Sequence, residues 1–121
     1  MRDHKKYDVW VKSHNLVLIV YKELAPLFPK SEQFAATSQM KIAAYSVPFN
    51  IVEGCSRNTD KDFAHFLDIS LGSVQALEYC FLFSKGFSFI QAENYSRVNE
   101  KENEIKAKLI NLIKKIRGNM N

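Results

Sequence analysis

Apolar residues recur every three or four positions along four long stretches of this chain, and this spacing constrains the fold more than any other feature. It places apolar side chains along one face of an α-helix. The chain has 121 residues, enough for one domain with one core, and its four Gly and three Pro leave room for long helices. Short connections favour antiparallel neighbours. We therefore predict a single all-α domain, residues 1–121, folded as an up-down-up-down four-helix bundle with helices at about 8–28, 31–56, 59–85 and 88–117.

Residues that favour helix ends set these boundaries. Short polar side chains can accept hydrogen bonds from the first free amides of a helix, and glycine often ends a helix in the left-handed conformation. Gly86 is expected to be the left-handed residue that ends the third helix. The expected N-caps are Asp8, Ser31, Thr59 or Asp60, and Ser88 in a capping box with Gln91, with a start of the fourth helix a few residues further on as the alternative.

The first two predicted helices each carry a second apolar stripe. A helix on the outside of a monomeric bundle needs only one stripe, so the surplus predicts a further partner, most simply another copy of the chain. In the first helix the inward face is predicted to be Trp10, His14, Val17, Leu18, Tyr21, Leu24, Ala25 and Phe28, and the second stripe Val9, Leu16, Val20 and Leu27. In the second helix the inward face is Ala36, Met40, Ala43, Ala44, Val47, Ile51 and Gly54, and the second stripe Phe34, Ile42, Tyr45, Phe49 and Val52.

A narrow line of polar residues, here called the polar seam, separates the two stripes of the second helix. Glu53 and Arg57 stand four positions apart, in the order that favours an ion pair within a helix. Glu78 of the third helix projects among apolar residues, so we expect it to be largely buried and to pair with Arg57. A network that fixes helix register is favoured over a catalytic carboxylate site. The polar seam comprises Gln39, Ser46, Asn50, Glu53, Arg57 and Glu78.

Four further residues are expected to shape the packing. Pro48 lies inside the second helix and predicts a kink, because proline has no amide hydrogen and its ring crowds the preceding turn. Gly54 lies on the inward face of the second helix. Gly72 lies in the middle of the third helix, where glycine is unfavourable by about 1 kcal/mol relative to alanine. This cost predicts close approach of a neighbouring backbone at Gly72, beside the small hydroxyl of Ser73.

The formal net charge is +4, and the basic excess lies towards the two ends of the chain. From residue 105 onward five basic residues occur without a carboxylate side chain. Such clusters can attract phosphate, although a solvated helix face is an equal alternative. The candidate nucleic-acid contacts are Lys5, Lys6, Lys12, Lys106, Lys108, Lys114, Lys115 and Arg117.

Three segments of the chain together carry a resemblance to a known family. They read SQMKIAAYSVPFNIVEG, RNTDKDFAHFL and GSVQALEY. This combination resembles the four-helix-bundle proteins encoded in 23S rRNA intervening sequences, also called the S23 family, over nearly the whole chain. The resemblance implies a ring, with a homopentamer as the expected form. The family is also similar to the accessory protein of diversity-generating retroelements, a pentameric basic barrel that binds nucleic acid and a reverse transcriptase. Two positions depart from the pattern, Ile42 in place of a basic residue and Ala76 in place of an acidic one.

The sequence lacks the common catalytic motifs, including a glycine-rich phosphate loop, H-E-x-x-H and C-x-x-C. We predict a protein without enzymatic activity, cofactor or metal, with Cys55 and Cys80 as free thiols. The charged run at 2–6 and the short apolar run at 16–20 predict neither a signal peptide nor a membrane partner, hence a cytoplasmic protein. The leading hypothesis is a ring-forming RNA-binding or nucleic-acid-binding protein. The alternative is a scaffold that binds a protein partner such as a reverse transcriptase.

Overall fold

The computed structural model describes residues 2–120, and its regular elements in this range are all helical. Four long α-helices account for most of the chain, and no strand occurs in the described residues. This confirms the all-α prediction. The helices are α1 (Asp8–Ile19), α2 (Ala36–Cys55), α3 (Asp60–Gly86) and α4 (Ala92–Gly118).

Contacts between neighbouring helices are those of an antiparallel arrangement. The start of α1 meets the later part of α4, where Lys108 Nζ lies 2.9 Å from Asp8 Oδ2. The end of α2 meets the start of α3, because a Cβ on Gly54 would lie 3.0 Å from Phe63. Near the middle of the same pair, Ser70 Oγ donates a 2.8 Å hydrogen bond to the carbonyl of Val47.

The core runs along the bundle axis and is built mainly from aliphatic and phenylalanine side chains. All four helices contribute to it. The predicted inward face of α2 is largely confirmed, and the apolar residues that recur at helical spacing in α3 and α4 are largely buried as well. The largest fully buried side chains are Phe63, Phe81, Leu24, Met40, Ile51, Leu67, Leu77, Ile105, Leu109, Glu102, Val20 and Val74.

The prediction for the inward face of α1 is wrong. Val9, Leu16 and Val20 are buried, whereas Leu18 and Tyr21 are exposed. Over residues 9–20 the two apolar stripes have therefore exchanged roles in part: the second stripe is buried, while Trp10 and Val17 of the predicted inward face are only partly buried against the core. Two stripes of similar hydrophobicity show that a helix is apolar on both sides, but they do not determine which side meets the neighbouring helices.

The predicted first helix also changes geometry after α1. Val20–Leu24 forms a π-helical turn and Ala25–Leu27 a 3-10 turn. Pro26 explains the change, because it lacks an amide hydrogen and its ring would crowd the carbonyl of Lys22 in a regular α-helix. A π turn adds one residue to the helical repeat, so Leu24 and Phe28 join the buried line that begins with Val9.

The predicted start of α2 is five residues too early. Lys30–Glu32 forms a separate 3-10 turn, and α2 begins at Ala36. Ser31 is thus not the N-cap. Ala35 occupies that position, where its methyl group offers no hydrogen bond.

At the ends of α3 and α4, the structure confirms the predicted cap at Thr59, whereas the predictions for Gly86 and Ser88 are wrong. Thr59 Oγ1 accepts a 3.1 Å hydrogen bond from the amide of Asp62, as the capping pattern predicts. Gly86 is the last residue of α3 and does not have a positive φ, whereas Ser88 has φ 59°. Ser88 is therefore the left-handed residue of the connection and does not cap α4, which begins at Ala92 after Gln91.

By length and composition, α3 is the one helix in residues 2–120 apolar enough to cross a membrane. Core helices of water-soluble bundles often meet the same criterion. Here α3 supplies Phe63, Leu67, Leu77 and Phe81 to the core.

Candidate nucleic-acid interface

The N-terminal segment is fastened to the end of the bundle where α2 turns into α3. The Arg2 amide donates to the carbonyl of Cys55 at 3.3 Å, and Arg2 Nη1 donates to the carbonyl of Arg57 at 2.9 Å. The guanidinium also pairs with Asp60 and lies 4.3 Å from the ring centroid of Phe63. The next residues form a 3-10 turn, His4–Lys6, in which Asp3 accepts from the amide of Lys5 at 3.1 Å. These contacts place Lys5 and Lys6 at this end with exposed side chains.

The last turns of α4 reach the same end. Ile113 and Ile116 are buried, so the two lysines between them, Lys114 and Lys115, face away from the core and are exposed. Arg117 pairs with Asp68 of α3, and one of its two hydrogen bonds, from Nη1 to Oδ1, measures 3.0 Å. Basic residues in the last turn of a helix also interact favourably with its partial negative charge.

The charge of the bundle is divided unequally between its two halves. One half consists of residues 2–13, 46–73 and 107–120, and it holds ten basic and six acidic side chains. The other half holds seven of each. The whole formal excess of +4 therefore belongs to one half, which we call the basic end. Along the sequence this excess lies at the two ends of the chain, and the fold brings these ends together.

Four of the eight candidate contacts are engaged in ion pairs across helices. Lys12 Nζ lies 3.1 Å from Glu104 Oε1, and Lys108 Nζ lies 2.9 Å from Asp8 Oδ2. Lys106 and Arg117 pair with Glu78 and Asp68. The hydrogen bond from Lys108 lowers the pKa of Asp8, and the hydrogen bond to Glu104 raises the pKa of Lys12. These four basic groups are less available to phosphate than the sequence suggested.

The other four candidates lie at the basic end without such partners. Within residues 2–120, no carboxylate lies within ion-pair distance of Lys5, Lys6, Lys114 or Lys115. Lys61, in the first turn of α3, is a fifth exposed lysine of this kind that the sequence analysis did not select. Its position could have been inferred from the predicted antiparallel arrangement, which brings the start of α3 to the end of α4.

The polar seam satisfies its hydrogen bonds mostly within α2. Ser46 Oγ donates to the carbonyl of Ile42 at 2.8 Å, and Asn50 Nδ2 donates to the carbonyl of Ser46 at 2.8 Å. The Glu53 and Arg57 side chains form the predicted pair at 3.5 Å, but 39% and 43% of their surfaces remain exposed. Gln39 is exposed near the start of α2. The seam is therefore a surface feature of the single chain.

The predicted pairing of Glu78 with Arg57 is wrong. Glu78 faces α4, where Lys106 Nζ lies 2.6 Å from Glu78 Oε2, and 42% of the Glu78 side chain is exposed. This hydrogen bond is the main reason that the pKa of Glu78 is lowered. Arg57 lies over the ring of Phe66, with its guanidinium carbon 4.5 Å from the centroid. The projection of one helix gave the face of Glu78 but not the helix that this face meets.

The structure confirms the expected close packing at Gly54 but not at Gly72. A Cβ on Gly54 would lie 3.0 Å from both Phe63 Cδ1 and Phe66 Cβ, which confirms close packing there. Pro48 is buried inside α2, which continues through it. At Gly72 no described atom beyond its chain neighbours and the adjacent backbone of α3 lies within 4 Å of the position that a Cβ would occupy, so the expected close approach does not occur within the chain. Ser73 Oγ donates to the carbonyl of Ile69 in its own helix at 3.3 Å.

A surface groove between α2 and α3 was not expected from the sequence. It has a volume of about 520 Å³ and lies at the end opposite the basic end. Phe34, which has 91% of its surface exposed, lies next to the lining residues along the chain. The lining residues are Glu32, Ala35, Ala36, Gln39, Tyr79, Cys80, Phe83 and Ser84.

The described residues contain no group of three or more His, Cys, Asp or Glu side chains placed to hold a metal ion. Cys55 and Cys80 are free, as predicted, and burial raises the pKa of both thiols.

Comparison with known proteins decides the family. The sequence profile described as 23S rRNA-intervening sequence protein matches residues 5–111. The chain belongs to this family. A crystal structure of a family member from Bacteroides thetaiotaomicron, described as a protein of unknown function from the S23 ribosomal protein family, superimposes with a TM-score of 0.81. It is 25% identical in sequence, and the alignment covers 88% of this chain and 98% of that one. No curated protein matches the sequence.

Membership of the intervening-sequence family confirms the resemblance drawn from the three sequence segments. Most of the basic end falls within the matched region, from Lys5 and Lys6 to Lys108. Lys114, Lys115 and Arg117 lie beyond residue 111.

Proposed function

We propose that this protein is a non-enzymatic, cytoplasmic, ring-forming member of its family that binds RNA or another nucleic acid through the basic end. One observation carries the proposal: the whole formal excess of +4 belongs to one half of the bundle, and five exposed lysines there are free of ion pairs within residues 2–120. Flexible, unpaired lysines bind phosphate mainly by charge, without reading bases.

Exposed apolar side chains on α2 and α3 support the ring. Ile42, Tyr45 and Phe49 have 56%, 51% and 46% of their surfaces exposed, and the rings of Tyr45 and Phe49 stack 5.4 Å apart. Ile69 and Tyr79 of α3 are also exposed. Contiguous apolar surface of this kind is typical of protein interfaces. A ring of several copies would present the basic end repeatedly, so that weak phosphate contacts add through multivalency.

Salt dependence of binding tests the proposal. Anisotropy of labelled structured RNA and of single-stranded DNA should rise with protein concentration at low salt. The logarithm of the binding constant should then fall linearly with the logarithm of salt concentration, by about 0.7 to 0.9 for each phosphate neutralised. Failure of both ligands to bind at low salt would refute the proposal, and binding that is independent of salt would refute the charge-based mechanism.

The groove between α2 and α3 favours a second candidate function, that of a scaffold for a protein partner such as a reverse transcriptase. Its apolar lining and the neighbouring exposed Phe34 are suited to a protein surface rather than to phosphate. Purification from the native host with and without nuclease separates the two functions. Partners that persist after nuclease treatment favour the scaffold, whereas partners that disappear favour nucleic-acid binding.

A further inference from the structure

Glu102 of α4 is fully buried in the bundle core. Its exposed fraction is 0%, and no N–H or O–H group of the described residues donates a hydrogen bond to either carboxylate oxygen; the nearby Glu78 carboxylate can accept a hydrogen bond from Glu102 only when Glu102 is protonated. The sequence contained a signal for this burial, because Glu102 lies four residues after Val98 and three before Ile105, on the same helix face. A carboxyl group without a hydrogen-bond donor in a core needs a physical account, since a buried charge that no donor compensates is strongly unfavourable.

The surroundings of Glu102 are nearly all apolar. From α1 it meets Ser13 and Leu16, and the Ser13 hydroxyl is already used as a donor to the carbonyl of Trp10 at 2.9 Å. The small cavity at this level has no room for a water molecule. The remaining lining residues are Ala44, Val47, Val74, Leu77 and Ile105.

Two charged groups face this carboxyl group, one from α3 and one from α4. Lys106 Nζ, one turn along α4, lies 3.9 Å from Glu102 Oε1 and 2.6 Å from Glu78 Oε2 of α3. The helices α1 and α2 bring no charged side chain to the cavity lining. A single ammonium group is therefore placed between two carboxyl groups and, in this structure, is bound to the exposed one.

We propose that Glu102, Glu78 and Lys106 form a proton-operated switch in the packing of α4 against the bundle. In the state of this structure the Glu102 carboxyl group carries a proton, is neutral in the core, and leaves Lys106 to Glu78. When Glu102 releases its proton to solvent, the new charge requires either Lys106 or water. Lys106 must then leave Glu78 or be shared with it, or α4 must turn Glu102 outwards, and both changes loosen the packing of α4.

The titration behaviour of the group agrees with this geometry. Burial, followed by the neighbouring Glu78 carboxylate, raises the pKa of Glu102 to about 7, against the partial compensation of Lys106. In the unfolded chain the group titrates near the ordinary value of 4.5. The folded protein consequently holds the proton more tightly than the unfolded chain. This tighter binding of the proton stabilises the folded state. The stabilisation is complete at pH values below the pKa of Glu102 in the unfolded chain, and it is lost as pH rises through the pKa of Glu102 in the folded protein.

Denaturant unfolding of the wild type and Glu102→Gln across about pH 5 to pH 8 tests the switch. For the wild type, the equilibrium constant for folding should fall by up to about tenfold per pH unit between the two pKa values. Glu102→Gln, a neutral isostere, should remove this slope and be the more stable protein at pH 8. Glu100→Gln is the matched control, because Glu100 is exposed and forms no ion pair within residues 2–120, and it should keep the wild-type slope. Parallel pH profiles for the wild type and Glu102→Gln would overturn the proposal.

Two measurements on the wild type keep the proposal testable if Glu102→Gln does not fold. The carboxyl carbon resonance of Glu102 should titrate with a midpoint near 7, and a midpoint near 4.5 would overturn the proposal. Hydrogen exchange at residues 102–106, corrected for its intrinsic pH dependence, should accelerate above that midpoint. Unchanged protection would show that the group titrates without switching the helix, which also overturns it.

Discussion

At the scale of single residues, Gly54 is the glycine at which the packing leaves least room for an added side chain. A methyl group there would meet Phe63 Cδ1 and Phe66 Cβ at 3.0 Å and the carbonyl of Phe63 at 3.2 Å. Because backbone and aromatic atoms surround this position, α2 and α3 would have to separate. We expect Gly54→Ala to lower the free energy of unfolding by about 1 to 3 kcal/mol in urea titrations.

Gly72→Ala is the matched control for this prediction. No described atom beyond its chain neighbours and the adjacent backbone of α3 lies within 4 Å of its Cβ position, so the gain in helix propensity should stabilise an isolated chain by up to about 1 kcal/mol. If the variant instead disrupts assembly with intact helical structure, Gly72 contacts a neighbouring copy. A loss of stability at Gly72 equal to that at Gly54 would contradict the packing described here.

The ion pair of the polar seam is expected to contribute little. Glu53 and Arg57 are 39% and 43% exposed, and their closest atoms are 3.5 Å apart. The larger effect that a buried pair would have does not apply. We expect Glu53→Ala to change stability by about 0.5 kcal/mol or less, and Arg57→Ala by slightly more because its guanidinium also covers Phe66. Urea titrations at low and high salt measure both, and a loss above about 2 kcal/mol in the monomer would contradict the observed exposure.

At the scale of elements, the N-cap of α3 provides a test of local stability. Thr59 Oγ1 accepts from the Asp62 amide at 3.1 Å, whereas Gln91 makes no side-chain cap at the start of α4. Thr59→Ala should therefore lower the free energy of unfolding by about 1 kcal/mol. Thr59→Ser keeps a hydroxyl group at the N-cap and should retain most of this stabilisation. Gln91→Ala serves as the control and should leave thermal unfolding unchanged. Equal effects of the two alanine substitutions would contradict the cap assignment.

The elements also show which features could be predicted from the sequence. The inward faces of α2, α3 and α4 follow from the spacing of their apolar residues, and the Thr59 cap follows from local chemistry. The buried face of α1 could not be chosen, because two comparable stripes compete and the π turn before Pro26 changes the helical phase. The connection before α4 depends on Ser88, which adopts the left-handed conformation. This conformation is uncommon for serine, so the sequence favoured Gly86 for it.

The candidate site was predictable only in part, for a related reason. Composition along the chain located the basic excess at its ends, but ion pairs depend on which helix faces meet. Lys12, Lys106, Lys108 and Arg117 find carboxylates on neighbouring helices, and a projection of single helices contains no such information. Similarly, Glu102 shares a face with apolar residues, yet its lack of hydrogen-bond donors becomes visible only when the other three helices are in place.

At the scale of the whole molecule, the exposed apolar surface of α2 predicts assembly. Light scattering in moderate salt should give a multiple of the 14.0 kDa chain mass, and a homopentamer would give five times that value. Ile42→Ser with Phe49→Ser should reduce this mass while leaving the helical signal intact, because both side chains lie outside the core. A wild-type protein that remains a 14.0 kDa monomer at high concentration would contradict the proposed ring.

The most direct test of the proposed function compares two variants that each lack three positive charges. Lys6, Lys114 and Lys115 lie at the basic end, whereas Lys22, Lys30 and Lys101 are exposed lysines of the other half, and none of the six forms an ion pair within residues 2–120. The measurement is anisotropy of labelled RNA as a function of salt, with glutamine at all three positions of either set. Substitution at the basic end should weaken RNA binding. It should also reduce the slope of the logarithm of the binding constant against the logarithm of salt concentration, by about 1 for each phosphate that a chain no longer neutralises. Substitution in the other half should leave the binding constant and this slope nearly unchanged. Equal weakening by the two variants would show that net charge alone drives binding and would contradict a nucleic-acid interface at the basic end.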